Sequence, residues 1–514
     1  MLAKLFSATV QGVEATIVEV EVDAADGLSK EVVVGLPDAA VRESLHRVRA
    51  ALQHAGYSWP FNKRVTVNLA PADSRKEGPM YDLPMALGVL AASDQLDGAR
   101  LGDYLLAGEL ALDGRLRPVR GALLFALQAK ALGKRGVLVP KENVEEAAVV
   151  EGIDALAPAT LAEAVAFFAG KQELKPVRLN VKELFERDVF SGLLDLGDVR
   201  GQEHAKRALT VAAAGGHNVL MVGPPGSGKS MLAKRIPGIL PPMSLPEALE
   251  TTKVWSVAGK MKSHEALKFV RPFRGPHHTV SYPGLVGGGI DPVPGEVSLS
   301  HHGVLFLDEF PEFDRKAVEA LRQPLEDRQI TIARAAGAAT FPASVMLVAA
   351  MNPCPCGHHG DSKKACTCSE IQVQRYYGRI SGPVLDRIDL QIEVPHVPFE
   401  DLSAERAGPT SAEVRAVVIA ARELQQKRFG GTNVHCNAAM SEQQLQAFCK
   451  PDAEAKAMLK NAVDTLGFSA RSYARVLKVA RTIADLEGKS GNTLNGEQVS
   501  EALQYRSLDR EKKL

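Results

Sequence analysis

The segment Gly223-Pro-Pro-Gly-Ser-Gly-Lys-Ser230 constrains the fold of this chain more than any other. It follows an apolar run, His217–Val222, and opens a helical pattern, Lys229–Ile236. A strand, a glycine loop and a helix in succession turn backbone N–H groups inward as a nest for an anion, and the helix N-terminus adds its dipole. The spacing is that of a phosphate loop, which places Lys229 to reach β- and γ-phosphates and Ser230 to ligate Mg²⁺. Gly223, Pro224, Pro225, Gly226, Ser227, Gly228, Lys229 and Ser230 are therefore the expected cofactor-binding residues, with ATP and Mg²⁺ as cofactors. The competing reading, a chance Gly-rich turn, is disfavoured by the strand before and the helix after.

Two further apolar runs end in polar residues suited to the same chemistry. Val304-Leu-Phe-Leu-Asp-Glu309 reads as a buried strand delivering two carboxylates at its end. Asp308 is expected to hold Mg²⁺ and Glu309 to orient or deprotonate the attacking water. An acidic pair often simply ends a strand, so this motif gains its weight from the phosphate loop. A third strand, Ser344–Ala350, leads to Asn352, which either bonds the attacking water or γ-phosphate or caps the turn before Pro353.

The chain has 514 residues, enough for about three domains. With 45% hydrophobic and 24% charged residues it reads as globular, not as a disordered chain or a coiled-coil rod. Lys+Arg and Asp+Glu both number 61, which excludes a globally basic nucleic-acid coat and leaves room for a local basic channel. The longest charge-free stretch, Ala335–Gly360, carries prolines, cysteines and a His pair, so no membrane span is expected. The first residues show no clear signal-peptide core, so a cytoplasmic location is expected. The domain reading is 1–170, alternating strands and helices; 171–195, a charged linker; 196–400, the nucleotide core; and 401–514, helices. Capping boxes are expected at Thr410 with Glu413 and at Ser441 with Gln444, and a cap at Ser469.

GPPGSGKS, VLFLDEF, AAMNPCPCG and SGPVLDRIDL together resemble an AAA+ ATPase of the magnesium-chelatase-like branch. Asp198-Val-Arg-Gly-Gln-Glu-His-Ala-Lys-Arg-Ala-Leu209 resembles the segment that precedes the phosphate loop there and packs near adenine. The resemblance places Asn352 at sensor 1, Arg387 at the arginine-finger position and Arg471 at sensor 2 on a helical lid. A planar guanidinium suits charge accumulating on γ-phosphoryl oxygens, and one supplied by a neighbour makes hydrolysis depend on assembly. The bland alternatives are a salt bridge from Arg387 to Asp386 or Asp389 and a solvated position for Arg471. A heterologous contact repeated head to tail closes a ring, and the resemblance implies a hexamer.

The interval from Lys229 to Asp308 far exceeds the roughly 10–12 residues of a minimal crossover, so it holds an insertion. Gln329–Pro342 reads as a β-hairpin with Ala-Ala-Gly-Ala-Ala at its tip, matching the pre-sensor hairpin of this branch. Lys260, Lys262, Lys268, Arg271, Arg274 and Arg334 are candidate DNA-phosphate contacts, each also readable as solvated surface charge. Cys354, Cys356, Cys366 and Cys368 either hold a structural tetrahedral Zn²⁺ or remain reduced thiols. His277-His278 and His301-His302 read as hydrogen-bonding groups.

Residues 1–170 are similar to the ribosomal-S5-like α+β fold shared by the Lon protease domain, through Lys76-Glu-Gly-Pro79, Leu83-Pro-Met-Ala86 and Gly136-Val-Leu-Val-Pro-Lys-Glu-Asn143. Such proteases need a Ser–Lys dyad, yet Gly78-Pro-Met-Tyr-Asp82 has no Ser and apolar residues around Leu123–Phe125 replace the Lys. Without nucleophile and base there is no acyl transfer. Arg42, Arg47, Arg49, Lys63 and Arg64 form either a basic face or a solvated one. Over essentially its whole length the chain resembles the ComM (YifB) family. That resemblance implies a ring-shaped DNA motor promoting branch migration in natural transformation, with single-stranded or branched DNA as partner. The alternatives are a chelatase-type protein remodeller and, given a dyad, an ATP-dependent protease.

Overall fold

The computed structural model describes residues 2–73, 75–186, 189–289, 292–334, 337–361, 363–403, 408–432, 434–466 and 468–506. They fall into two compact units: Met1–Arg187 with Ala248–Lys268 and Gly337–Phe341, and Asp188–Glu247 with Phe269–Ala336 and Pro342–Leu514.

The first unit is built on a seven-stranded mixed sheet. Its strands are β1 (Leu2–Gln11), β2 (Glu14–Asp26), β3 (Lys30–Val34), β4 (Lys63–Ala70), β5 (Tyr104–Leu106), β6 (Gly136–Leu138) and β7 (Asp154–Leu156). Their order is β3-β4-β2-β1-β5-β6-β7. β1 and β2 form the central hairpin, antiparallel from Leu2↔Asp23 to Gln11↔Glu14. On β2 the two-residue period is clear, with Val18, Val20 and Val22 buried and Glu19 and Glu21 on the other face. Helix α1 (Ala39–His54) starts where the Asp38 carboxylate accepts from Val41 N at 2.7 Å. Helix α2 (Asp82–Ala92) is buried on every side, and a Cβ at Gly88 would come within 2.5 Å of Val22 Cγ2. Leu123 and Phe125 are core residues of helix α3 (Ala122–Ala131), and Tyr81 and Asp82 are buried. Asp82 is ion-paired with Arg47 at 2.8 Å, so Arg47 belongs to an internal pair and not to a basic outer face. The 171–195 segment contains a short helix, Val181–Glu186, and Val177 bridges to Ala155.

The second unit centres on a parallel sheet of β8 (Val219–Val222), β9 (Phe273–Arg274), β10 (Val304–Leu307), β13 (Met346–Met351) and β14 (Leu390–Glu393), in the order β9-β10-β13-β8-β14. Strand β11 (Gln329–Arg334) of this unit and strand β12 (Gly337–Pro342), which belongs to the first unit up to Phe341, lie where the sequence predicts a hairpin. Ala335 and Ala336 of its tip, and the Arg334 side chain, lie outside the described residues. Helix α4 (Glu203–Gly215) precedes β8, and helix α5 (Lys229–Ala233) follows the glycine loop. The predicted helix Lys229–Ile236 is interrupted after Ala233 and resumes as Ile236–Ile239, because Pro237 has no N–H to continue the ladder. The C-terminal residues include α6 (Ser411–Phe429), α7 (Ala470–Leu486) and α8 (Gly496–Gln504), with further helices, Glu442–Phe448 and Ala453–Leu466 among them, between α6 and α7. The capping boxes at Thr410 and Ser441 and the Ser469 cap form as the sequence predicts. A two-stranded ladder, Lys450–Pro451 with Thr493–Leu494, interrupts this helical region. One apolar core joins Val219, Met221, Val348 and Leu390 of the sheet to Val418, Leu477, Ile483 and Val499 of the helices.

Candidate functional site

All five strands of the parallel sheet run the same way, so the segments after β8, β10 and β13 emerge on one edge. In the phosphate loop Gly226 and Gly228 have φ of +76° and +92°, and a Cβ at Gly226 would meet open space. These are conformations that glycine adopts at little cost and that leave the backbone open to a ligand. Lys229 is 8% exposed. Its Nζ donates to the carbonyls of Gly223 (2.6 Å) and Pro224 (2.9 Å) and to Asn352 Oδ1 (3.3 Å). Burial pulls the ammonium down to a pKa of about 8, against the opposing pull of Asp308. Ser230 Oγ donates to Asp308 Oδ2 at 2.5 Å. Lys229, Ser230, Asp308 and Asn352 thus converge outside the carboxyl ends of three strands.

Glu309 lies beside them with φ of +52°, and its Oε2 is 3.0 Å from His278 Nδ1. The His278 ring lies against His277, with centroids 4.1 Å apart and planes tilted by 35°, and meets Phe313 edge-on. The sequence reads His278 as a hydrogen-bonding group but does not show its partner, Glu309, which follows a strand 31 positions on. Gln202 was missed: in left-handed backbone, its Nε2 donates to the Ser227 carbonyl and braces the phosphate loop. The signal for Gln202 was its place in the Asp198–Leu209 segment.

The two arginines lie elsewhere. The Arg387 carbonyl accepts from Asn218 Nδ2 at 2.9 Å, and Asn218 immediately precedes β8. The Arg387 backbone is therefore at the sheet edge opposite the phosphate loop, a strand's length or about 13 Å away. Its guanidinium donates to the Pro383 carbonyl (2.7 Å) and pairs with Glu326, a partner the sequence did not suggest. Arg471 is exposed at the start of α7. One turn on, Arg475 pairs with Asp389, which accepts from Asn218 N at 2.8 Å on that same far edge. Burial alone would raise the Asp389 carboxyl, but Arg475, His217 and the Asn218 amide hold it well below the usual carboxylate range. The Arg387 guanidinium is thus engaged with Pro383 and Glu326 and not with the phosphate loop of its own chain.

Directly after Asn352 the chain gathers four sulfurs. The Sγ atoms of Cys354, Cys356, Cys366 and Cys368 all lie within 4.8 Å of one another, and three of the pairs are at 3.4, 3.6 and 3.6 Å. A tetrahedral zinc with Zn–S of about 2.3 Å requires S···S separations of about 3.8 Å, whereas a disulfide needs about 2.05 Å. Backbone amides also point at sulfur: His359 N to Cys354 (3.2 Å) and Cys368 N to Cys366 (3.4 Å). The amides of Thr367 and His358 draw the Cys356 thiol down to about 5, while its neighbouring sulfurs push Cys366 up to about 12 and raise Cys368, so without a cation the cluster holds its negative charge on Cys356.

Several candidate DNA-facing cations are engaged internally. Arg271 pairs with Glu247 (3.1 Å), Arg274 with Glu296 (2.5 Å) and Lys268 with Glu265 (2.8 Å). Lys260 and Lys262 are exposed. Within the first unit, Arg49 pairs with Glu31 at 3.4 Å and Arg42 donates to the Pro37 carbonyl at 3.3 Å. No helix among the described residues is long and apolar enough to cross a membrane.

A five-stranded parallel sheet with a phosphate loop after β8, acidic residues after β10 and an Asn after β13 defines a P-loop protein of the AAA+ class. Residues 195–402 match the family model described as magnesium chelatase, subunit ChlI; residues 20–143 match subunit ChlI of Mg-chelatase; residues 408–506 match its C-terminal model. Competence protein ComM of Haemophilus influenzae is 46% identical over 511 residues, covering 99% of this chain and 98% of that protein. The uncharacterized protein YifB of Escherichia coli is 44% identical over 502 residues, covering 97% and 96%. DNA replication licensing factor Mcm6 of Drosophila melanogaster is 23% identical over 221 residues, covering 40% of this chain and 23% of its own. The chain belongs to the ComM/YifB family of magnesium-chelatase-like AAA+ proteins.

Proposed function

We propose that this protein is an ATP-dependent, ring-forming DNA motor that promotes branch migration in homologous recombination during natural transformation. The observation that carries the ATPase part is the convergence of Lys229, Ser230, Asp308 and Asn352 at one end of the parallel sheet. The DNA part is supported by the relatives' names, a competence protein and, distantly, a replication licensing factor.

ATP supplies a transferable γ-phosphoryl group, and Mg²⁺ neutralises charge on its oxygens. The loop amides from Gly223 to Ser230 cradle phosphate, and Lys229 turns its ammonium from its own carbonyls to the β- and γ-oxygens. Ser230 and Asp308, already paired at 2.5 Å, are the donors that hold Mg²⁺. Glu309 swings from His278 to orient a water and take its proton, and Asn352 holds that water or the γ-phosphate. Arg387, on the far edge of its own sheet, serves the nucleotide of the adjacent protomer, as a closed hexamer allows, and Arg471 acts as sensor 2 on the helical lid. The four cysteines hold a structural Zn²⁺. The N-terminal domain, of ribosomal-S5 and Lon-like type, is non-proteolytic, the C-terminal helices act as the lid, and the protein works in the cytoplasm.

Purified protein should resolve a three- or four-stranded DNA junction only with ATP. Healthy basal ATP turnover that no DNA stimulates would refute the motor. Mixing Arg387→Ala with Lys229→Ala protein should restore part of the activity that each lacks, and a complete lack of rescue would rule out shared sites. The magnesium-chelatase match favours a second reading, a remodeller that acts with a porphyrin-binding partner, and a stable complex with such a subunit would support it.

A further inference from the structure

We propose that the four-cysteine loop is a clamp on the phosphate loop, so that zinc binding and nucleotide binding strengthen each other. The inference rests on the zinc and nucleotide readings above and adds the coupling between them.

Two contacts join the sites. The first runs through Gly357, inside the chelating loop. Its backbone is left-handed, with φ of +86°, and a Cβ there would lie 2.6 Å from Pro225 Cδ and 2.7 Å from Cγ. The loop is thus pressed against the phosphate-loop proline with room for glycine alone. The second runs along the chain. Asn352, whose Oδ1 accepts from Lys229 Nζ at 3.3 Å, is two residues ahead of Cys354, a buried ligand candidate. Both sides of the phosphate-binding apparatus, its proline tip and its lysine, therefore touch groups whose position the cluster sets.

A bound cation gives the Cys354–Cys368 segment one shape. Without it the four sulfurs have no common attractor, and the segment is free to drift from Pro225 and carry Asn352 with it. An ordered phosphate loop, conversely, buttresses Gly357 and opposes opening of the chelate. Linkage makes the two effects equal in size. A closed site with four thiolates leaves no open position, so the metal acts through shape and not as a Lewis acid at phosphate.

The test uses full-length protein. Zinc per chain is first counted by elemental analysis, with about one expected. Zinc release to an excess of the colorimetric chelator 4-(2-pyridylazo)resorcinol is then timed with and without a non-hydrolysable ATP analogue and Mg²⁺. Coupling predicts that nucleotide slows release about five-fold or more, and that zinc-stripped protein binds the analogue more weakly, by the factor by which nucleotide raises the equilibrium affinity for zinc. Lys229→Ala protein should show no slowing. Gly357→Ala, which keeps all four sulfurs but forces Pro225 and the loop apart, should hold zinc yet lose most of the nucleotide effect. One zinc per chain released at a rate indifferent to nucleotide would overturn the clamp and leave the zinc site standing. Folded, nucleotide-binding protein without zinc would overturn both.

Discussion

Lys229 offers a test of the nucleotide site that needs no loss-of-function variant. In the free protein its ammonium is buried among carbonyls, which lowers its pKa from 10.5 to about 8. Polyphosphate laid along the loop supplies negative charge at that ammonium and returns its pKa toward 10.5. Binding then carries a proton with it when the free lysine is neutral. Affinity is therefore full below pH 8 and falls as pH rises through 8, by up to tenfold per pH unit until the bound lysine itself titrates. Between pH 7.5 and 9.5 these two values give a loss of about 20-fold, or about 1.8 kcal/mol. Equilibrium titration with a fluorescent ATP analogue at constant ionic strength measures it. In Lys229→Arg protein the guanidinium stays protonated across this range, so whatever binding remains should be flat. Equal wild-type affinity at the two pH values, or the same decline in the arginine variant, would refute the reasoning.

Glu309→Gln should bind nucleotide within about twofold of wild type while turnover drops roughly 10²- to 10⁴-fold, and unchanged turnover would remove its role as base. Asp389, 2% exposed, is the buried partner of Arg475. Asp389→Asn leaves that guanidinium uncompensated and should cost about 3–5 kcal/mol in urea unfolding near neutral pH. Because the Asp389 carboxyl is held below its ordinary pKa, its stabilisation is present above about pH 4 and is lost as pH falls further. The gap between variant and wild type should narrow in acid, and equal stability at pH 7 would show that the pair contributes nothing.

The elements read most accurately from the sequence are those whose pattern is local. Val304–Leu307 is apolar at every position because it is an interior parallel strand, and its boundaries are as expected. The Ser and Thr caps likewise need only residues three positions on. β1 carries a weaker sequence signal although it lies at the centre of the first sheet. Its buried face includes Ser7 and Thr9, polar residues that break the two-residue hydrophobic period. Arg47 reads from the sequence as part of a basic or a solvated face, because nothing nearby announces Asp82 as its partner, 35 positions later.

The candidate site divides the same way. The amino-acid sequence alone determined the phosphate loop, the acidic pair and the cysteine spacing, because each is a short segment whose chemistry follows from neighbouring residues. Only the tertiary structure decided which of these meet. Strand order set β13 beside β8 and so brought Asn352 to Lys229, sent Arg387 to the far edge, and laid Gly357 against Pro225. Such juxtapositions come from how strands far apart in the chain are stacked, and no local pattern encodes that.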